Sequence, residues 1–247
     1  MPCERPYPPG MMPEPHGEAE FDAFASHYDA GMSDPFKRII GGDADTFLEH
    51  KADWLLRTLA PSGRLLDFGC GNGRFLRALR RRGGLLDLAG YDASAGMIDA
   101  ARRQWDSGPP PVLHHLAPSG QVPFADREFD MVTAVCVLHH IRPSSRLRVV
   151  REMARVLKSG GVLVIFEHNP LNPVTRWLVR RAPIDAAAIL LSAEESAKLL
   201  REARVVHRRT DYILFFPPRW RRLWRLEPLL ARLPVGGQYM TVGTIVS

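Results

Sequence analysis

Cysteine is scarce in this chain of 247 residues: Cys3, Cys70 and Cys136 stand far apart and form no CxxC pair. That spacing fits a reducing compartment and argues against a zinc site, so no metal is expected. Long apolar runs are missing too. No stretch reaches the roughly 18–20 residues that a membrane-spanning helix needs. The first ten residues, MPCERPYPPG, lack the apolar centre of a secretory signal, so a cytoplasmic location is expected. Lysine occurs only at positions 37, 51, 158 and 198; the other basic residues are arginine, and the net charge is +6. Arginine bias of this kind fits either a GC-rich genome or attraction to an anionic partner.

Hydrophobic residues make up 45% and charged residues 24%, ordinary globular usage that excludes a fibrous or wholly disordered chain. Residues 1–20 are rich in proline and poor in packing side chains, which predicts a disordered tail ahead of one domain over 21–247. From Phe21 the spacing of Phe24 and Tyr28 predicts a helix, and Phe47, Trp54, Leu55 and Leu59 predict another over 43–59. The middle of the chain alternates short apolar runs with amphipathic stretches. Strands are expected at 64–68, 86–91, 112–116, 129–135, 160–167, 205–216 and 238–246, with helices at 74–82, 94–105, 144–157 and 192–203. Strand–helix alternation means an α/β fold, a mostly parallel sheet covered on both faces. The alternation pauses at 168–191, an insertion with a short basic helix.

The most informative segment is LLDFGCGNGRF at 65–75. Asp67 ends a strand, Gly69, Gly71 and Gly73 follow, and a helix begins. Such a turn lets backbone approach a ligand, and the helix start offers free N–H groups to an anion. The next strand ends near Asp92, nineteen residues past Gly73, where a carboxylate can accept both hydroxyls of a ribose. The spacing is GxGxG and not the GxGxxG of dinucleotide folds. Asp67 would repel a pyrophosphate and attract an ammonium. A ligand with a ribose, a carboxylate, an ammonium and no phosphate fits, and S-adenosylmethionine (SAM) has all four properties.

With these residues in view, the sequence resembles a class I SAM-dependent methyltransferase. The resemblance rests on FDAFASHYD (21–29), LLDFGCGNGRF (65–75), GYDASAGMIDAAR (90–102), VPFADREFDMVTAVCVLHHI (122–141) and REMARVLKSGGVLVIFEHNP (151–170). It implies a Rossmann-like sheet of seven strands with the last one antiparallel. It implies that Gly69, Gly71 and Gly73 shape the loop under the methionine portion and that Asp67 faces the amino group. Asp92 would hold the ribose, Met97 would pack near the adenine, and Tyr28 would close over the cofactor. The family carries an acid before the LPF-like segment. Here LAPSGQVPF (116–124) places Ser119 in that neighbourhood, so Ser119 or backbone groups would meet the adenine.

Methyl transfer asks the protein mainly to align reactants and exclude water, with a base where the acceptor is a hydroxyl or a carbon acid. His139 and His140 follow the fourth strand at the ligand edge of the sheet, and His140 is the first candidate base. His168, Asn169 and Arg176 follow the fifth strand and are candidate acceptor contacts; Arg180 and Arg181 extend the basic cluster, which reads equally as a solvated helix face. In RWRRLWRLEPLLARL (219–233), Trp220, Leu223 and Trp224 fall on one side of a helix, either packed on the core or laid on an anionic membrane surface. No RNA-binding module is recognisable, so a small-molecule or lipid-linked acceptor is expected and nucleic acid is not. Methylation of RNA or protein, or a cofactor-binding pseudoenzyme that serves as an assembly partner, are the alternatives.

Overall fold

The computed structural model describes residues 44–83, 86–115, 121–185 and 187–246. The expected tail, the helix from Phe21 with Tyr28, and Ser119 lie outside the described residues. The described chain begins with α1 (Ala44–Leu59), followed by β1 (Arg64–Phe68), α2 (Arg74–Arg81), β2 (Asp87–Asp92), α3 (Ala95–Arg103), β3 (Val112–His115) and β4 (Phe129–Val135). Then come α4 (Pro143–Arg155), β5 (Leu157–His168), α5 (Pro173–Val179), α6 (Ala193–Glu202), β6 (Val205–Ile213), α7 (Glu227–Leu230) and β7 (Gln238–Ile245).

The seven strands form one sheet in the order β3-β2-β1-β4-β5-β7-β6. β1 pairs in parallel with β2 and β4, β2 with β3, and β4 with β5. β7 inserts between β5 and β6 and runs antiparallel to both. This is the expected Rossmann-like arrangement with its last strand reversed. The apolar runs are continuous because both faces of the sheet are covered. Leu65, Leu88, Met131 and Val164 pack toward Leu55 of α1 and Leu76 and Leu79 of α2. Their neighbours Leu66, Ala89, Val132 and Leu163 point the other way, toward Val150 and Met153 of α4 and Leu200 of α6. Period-two alternation along each strand thus builds two cores from one sheet.

The helix ends follow local chemistry. Ser192 caps α6 in a reciprocal box with Glu195, as its spacing predicts. Asn172 caps α5 by accepting the Val174 and Thr175 amides, and Pro173 takes the first helical position, where no N–H is needed. The 219–233 stretch departs from its expected helix. Residues Pro218–Leu226 form 3-10 turns broken at Trp220, whose φ of −111° and ψ of 33° lie outside helical values. Trp220 and Trp224 therefore share no face: Trp220 is 53% exposed, while the Trp224 ring stacks on His50 at 4.1 Å. The stretch is pinned by buried Glu227, which meets His50 Nε2 at 2.8 Å and accepts the amides of Leu214 and Phe215.

Candidate active site at the carboxyl edge of the sheet

The carboxyl ends of β1, β2, β4 and β5 open into one cleft of about 910 Å³. On one side lies the glycine turn. The amides of Gly69 and Cys70 both donate to the Tyr91 carbonyl, at 2.7 and 2.9 Å, which binds the turn to the end of β2. Gly71 has φ +52°, and no atom lies within 4 Å of where a Cβ would stand, so the turn leaves open space at that point. Gly73, at φ +76°, is the N-cap of α2 and, having no side chain, contributes no side-chain cap. Asp92 sits opposite. Its Oδ2 accepts the Gly71 amide at 2.8 Å and its Oδ1 accepts the Ser94 amide at 2.9 Å. Met97 is buried one turn into α3, where Ser94 caps its amide.

Asp67 is buried at the floor of the same wall, and the Thr133 hydroxyl donates to its Oδ1 at 2.8 Å. Burial lifts its pKa from 3.8 to about 7 against the pull of the Thr133 hydrogen bond; the Asp92 charge adds to the lift and Lys51 opposes it. Lys51, on α1, is itself buried and donates to Cys136 Sγ at 3.2 Å. Burial pushes the Cys136 thiol up, but Lys51 and His168 outweigh it and hold the pKa at about 7. Sequence reading missed Lys51: α1 has no motif, and only folding carries it across to the strand ends.

Across the cleft stands a histidine cluster. The turn Leu138–His140 follows β4, and His139 is only 1% exposed. Its Nδ1 meets Oε2 of Glu167, a fully buried carboxylate at the end of β5 that also accepts the Leu138 amide at 2.7 Å. Its Nε2 faces Oδ1 of Asp185 at 3.4 Å, and His140 Nε2 lies 3.5 Å from the same oxygen. Burial pulls the His139 pKa down, but the Glu167 charge and the Asp185 contact overcome it and lift it to about 10. His168 packs beside His139 with ring centroids 5.1 Å apart, and Gln238 holds its Nδ1 at 3.1 Å. Buried Arg146 of α4 joins this turn to the insertion by donating to the carbonyls of Leu138, Ile141 and Ile189.

The structure gathers Asp67, Gly69, Gly71, Asp92, Met97, His139, His140 and His168 around the cleft. Two residues expected on the acceptor side are placed elsewhere. Asn169 is buried and spends its amide on the carbonyls of Pro234 and Gly236, while its Oδ1 accepts the Leu171 amide. Arg176 is exposed on α5 and does not line the cleft. The NPLNP segment thus serves to dock α5 against the start of β7: Asn172 donates to the Val235 carbonyl and Thr175 to that of Gly237.

A family profile described as a methyltransferase domain matches residues 66–165, which hold the glycine turn, Asp92 and the histidine turn. A demethylmenaquinone methyltransferase of Corynebacterium kroppenstedtii is 32% identical over 190 residues, covering 74% of this chain and 75% of that protein. The chain belongs to the SAM-dependent methyltransferases. A demethylmenaquinone methyltransferase of Thermotoga maritima is 32% identical over 157 residues, 64% of this chain and 63% of that protein. A Bos taurus protein named a probable tRNA methyltransferase 9B is 31% identical over 112 residues, 45% of this chain. The chain spans 63% of the Thermotoga relative's length and 22% of the Bos taurus relative's. Among solved structures, a SAM-dependent methyltransferase from Thermotoga maritima superposes with a TM-score of 0.64 at 20% identity, covering 92% of this chain and 99% of that one.

The cleft suits the family's cofactor, SAM. Open space over Gly71 is what a ligand lying on the turn requires, and the wall presents two carboxylates to a molecule with an ammonium and a ribose. Among the described residues no helix is long and apolar enough to cross a membrane.

Proposed function

We propose that this methyltransferase modifies an apolar, lipid-linked small molecule that it takes from an anionic membrane surface. The observation that carries the reading is the apolar mouth of the cleft. Its far wall is made by Val174, Leu178, Ile184, Leu214, Phe215 and Phe216. Besides Val174, Leu171, Trp177, Trp220, Leu229 and Val235 stand exposed, Leu229 at 82%. Exposed large apolar side chains on α5 and on the turns before β7 lie among Arg176, Arg180, Arg181, Arg219, Arg221, Arg222 and Arg225, most of them exposed. Amphipathic anchors among cations are the surface of a protein that rests on anionic lipid. The relatives named demethylmenaquinone methyltransferases favour the same acceptor class. The Bos taurus relative matches 112 residues, fewer than half of this chain, and so bears little on the acceptor.

Bound in the cleft, SAM supplies an activated methyl group on a sulfonium. Asp92 would hold the ribose, Met97 would pack near the adenine, and Asp67, within the field of Lys51, would take the ammonium. Gly71 would allow close approach of the methionine portion, while Gly69 makes room for Val137 and Gly73 for Ala101 of α3. Phe215, Phe216, Pro217 and Pro218 exclude water from the mouth. His140 takes a proton from the acceptor, and the imidazolium so formed faces Asp185 Oδ1, 3.5 Å from its Nε2. His168 contacts the acceptor beside it. The test is transfer of labelled methyl from SAM into lipid, aqueous and RNA fractions of cells. Label in a lipid fraction supports the reading; label confined to RNA or to water-soluble metabolites overturns it.

A further inference from the structure

We propose that His139, His168 and Asp185 form a binding site for one divalent first-row transition-metal ion on the acceptor side of the cleft. Each of the three offers a ligand atom, and these atoms lie within 4.8 Å of one another. His139 and Asp185 already stand at ligand-to-ligand spacing, with 3.4 Å between Nε2 and Oδ1. Donors about 2.0–2.2 Å from a central ion lie some 3–3.5 Å apart, so closing the third side asks for a shift of His168 of an ångström or so.

The surroundings are those of a held metal ligand and not of a chance surface cluster. A ligating histidine usually gives its second ring nitrogen to a carboxylate or an amide, which fixes its tautomer and orientation. Glu167 does this for His139: it takes Nδ1 and leaves Nε2 turned toward Asp185. For His168 the Gln238 amide stands 3.1 Å from Nδ1; turned to present its carbonyl oxygen, which otherwise has no hydrogen-bond partner, it accepts the Nδ1 proton and frees Nε2 for a metal. The third donor arrives from a distant part of the chain, yet its segment is anchored. Ile189 donates its amide to the His139 carbonyl at 2.8 Å, and Arg146 grips the carbonyls on both sides of that junction. Asp185 also sits in a tight turn, its amide donating to Ala182 and its carbonyl accepting from Ala188. Position and approach are therefore set by backbone bonds that would persist when an ion replaces the direct His139–Asp185 contact.

Charge favours a cation. Glu167, fully buried, and Asp185 bring two carboxylates against the two ring nitrogens of the buried His139. A divalent ion satisfies both carboxylates with neutral imidazoles. Two imidazoles and one carboxylate suit zinc, manganese, iron(II) or cobalt, and three protein donors leave coordination positions open. All three ligands line the cleft, so those positions face the acceptor. The ligand class that would complete the shell is an oxygen donor, a hydroxyl or enolic oxygen of the molecule to be methylated. Metal binding is independent of the lipid-acceptor reading, and its test needs no turnover.

Untagged protein, stripped by chelator and dialysed, is titrated with cobalt(II) by visible absorption and with zinc(II) by calorimetry. One ion per chain is expected. Asp185→Asn and His168→Ala each abolish the stoichiometric binding while thermal melts remain cooperative. Glu167→Gln, which leaves one acceptor oxygen where the Leu138 amide and His139 Nδ1 each use one, weakens it by about 10–100-fold. The exposed pair His114 and His115 on β3 is the competing surface site, and His114→Ala with His115→Ala leaves binding unchanged. No binding by the wild-type protein overturns the proposal and leaves His139 as a proton-carrying bridge. Binding that survives both Asp185→Asn and His168→Ala overturns it as well.

Discussion

The Gly71 amide donates to Oδ2 of Asp92 over 2.8 Å, joining the glycine turn after β1 to the acid that ends β2. The carboxylate thus shapes the cofactor loop before it meets any ligand. Its two oxygens accept Gly71 and Ser94 on the protein side, and a ribose hydroxyl would meet the same carboxylate. Asp92→Ala is expected to lose two charge-assisted hydrogen bonds to the cofactor and the clip on the loop. The cost in SAM affinity should be on the order of 2–4 kcal/mol. Calorimetry on folded protein checks it, and unchanged affinity removes Asp92 from the ribose.

Asp67 gives a pH dependence of defined sign. Its folded pKa, about 7, stands above the ordinary 3.8 because burial disfavours the charge. The folded protein therefore binds a proton more tightly than the unfolded chain. That stability is fully present below 3.8 and is lost as the pH rises to about 7. Asp67→Asn should flatten this fall and make the ligand-free protein more stable at pH 8, by a few kcal/mol at most. An ammonium needs the ionised acid, so the same variant should bind SAM more weakly, and wild-type affinity should climb with pH through about 7. Chemical denaturation at pH 5 and pH 8 beside SAM titration decides; a variant less stable than wild type at pH 8 contradicts the assignment.

His140 and His139 occupy adjacent positions with different surroundings. His139 is locked between Glu167 and Asp185, whereas His140 touches Asp185 and is more open to the cleft. His140→Ala is expected to lower kcat by about 10²–10⁴-fold with little change in SAM affinity. Equal losses in both, or an unchanged rate, would mean that His140 only packs.

The surface reading makes a prediction that depends on the broken 3-10 stretch. Because Trp224 stacks on His50 and Trp220 does not, the anchors to remove are Trp220 and Leu229. Wild-type protein should float with anionic vesicles at low ionic strength, and added salt should release it, each nearby arginine being worth roughly 1 kcal/mol. Trp220→Ser with Leu229→Ser should reduce flotation without lowering the melting temperature. Protein that stays below the vesicles at low salt rules the membrane surface out.

The local motifs were legible because their chemistry is local. RLLDF followed by GxGxG announces a strand, a tight turn and a helix start within a dozen residues, and the structure builds them there. Ser192 and Glu195 announce a cap by spacing alone. Asn169 and Arg176 misled for the converse reason: polar residues after a strand read as site residues until the carbonyls of Pro234 and Gly236 take the amide and α5 turns the arginine to solvent.

The sequence by itself determined the fold, and with it the glycine turn after β1 and the acid that ends β2. Strand periodicity, glycine conformation and one acid at a fixed distance act within short stretches of chain, and no long-range fact is needed to read them. Tertiary structure alone decided the rest. Lys51 reaches Cys136, Glu227 reaches His50, and Glu167 and Asp185 close on His139 from two separate segments. Charges of this kind have no periodicity and no spacing rule. They meet only because the sheet order sets β5 beside β4 and the docked insertion returns over the histidine turn, where burial makes each unpaired charge too costly to leave alone.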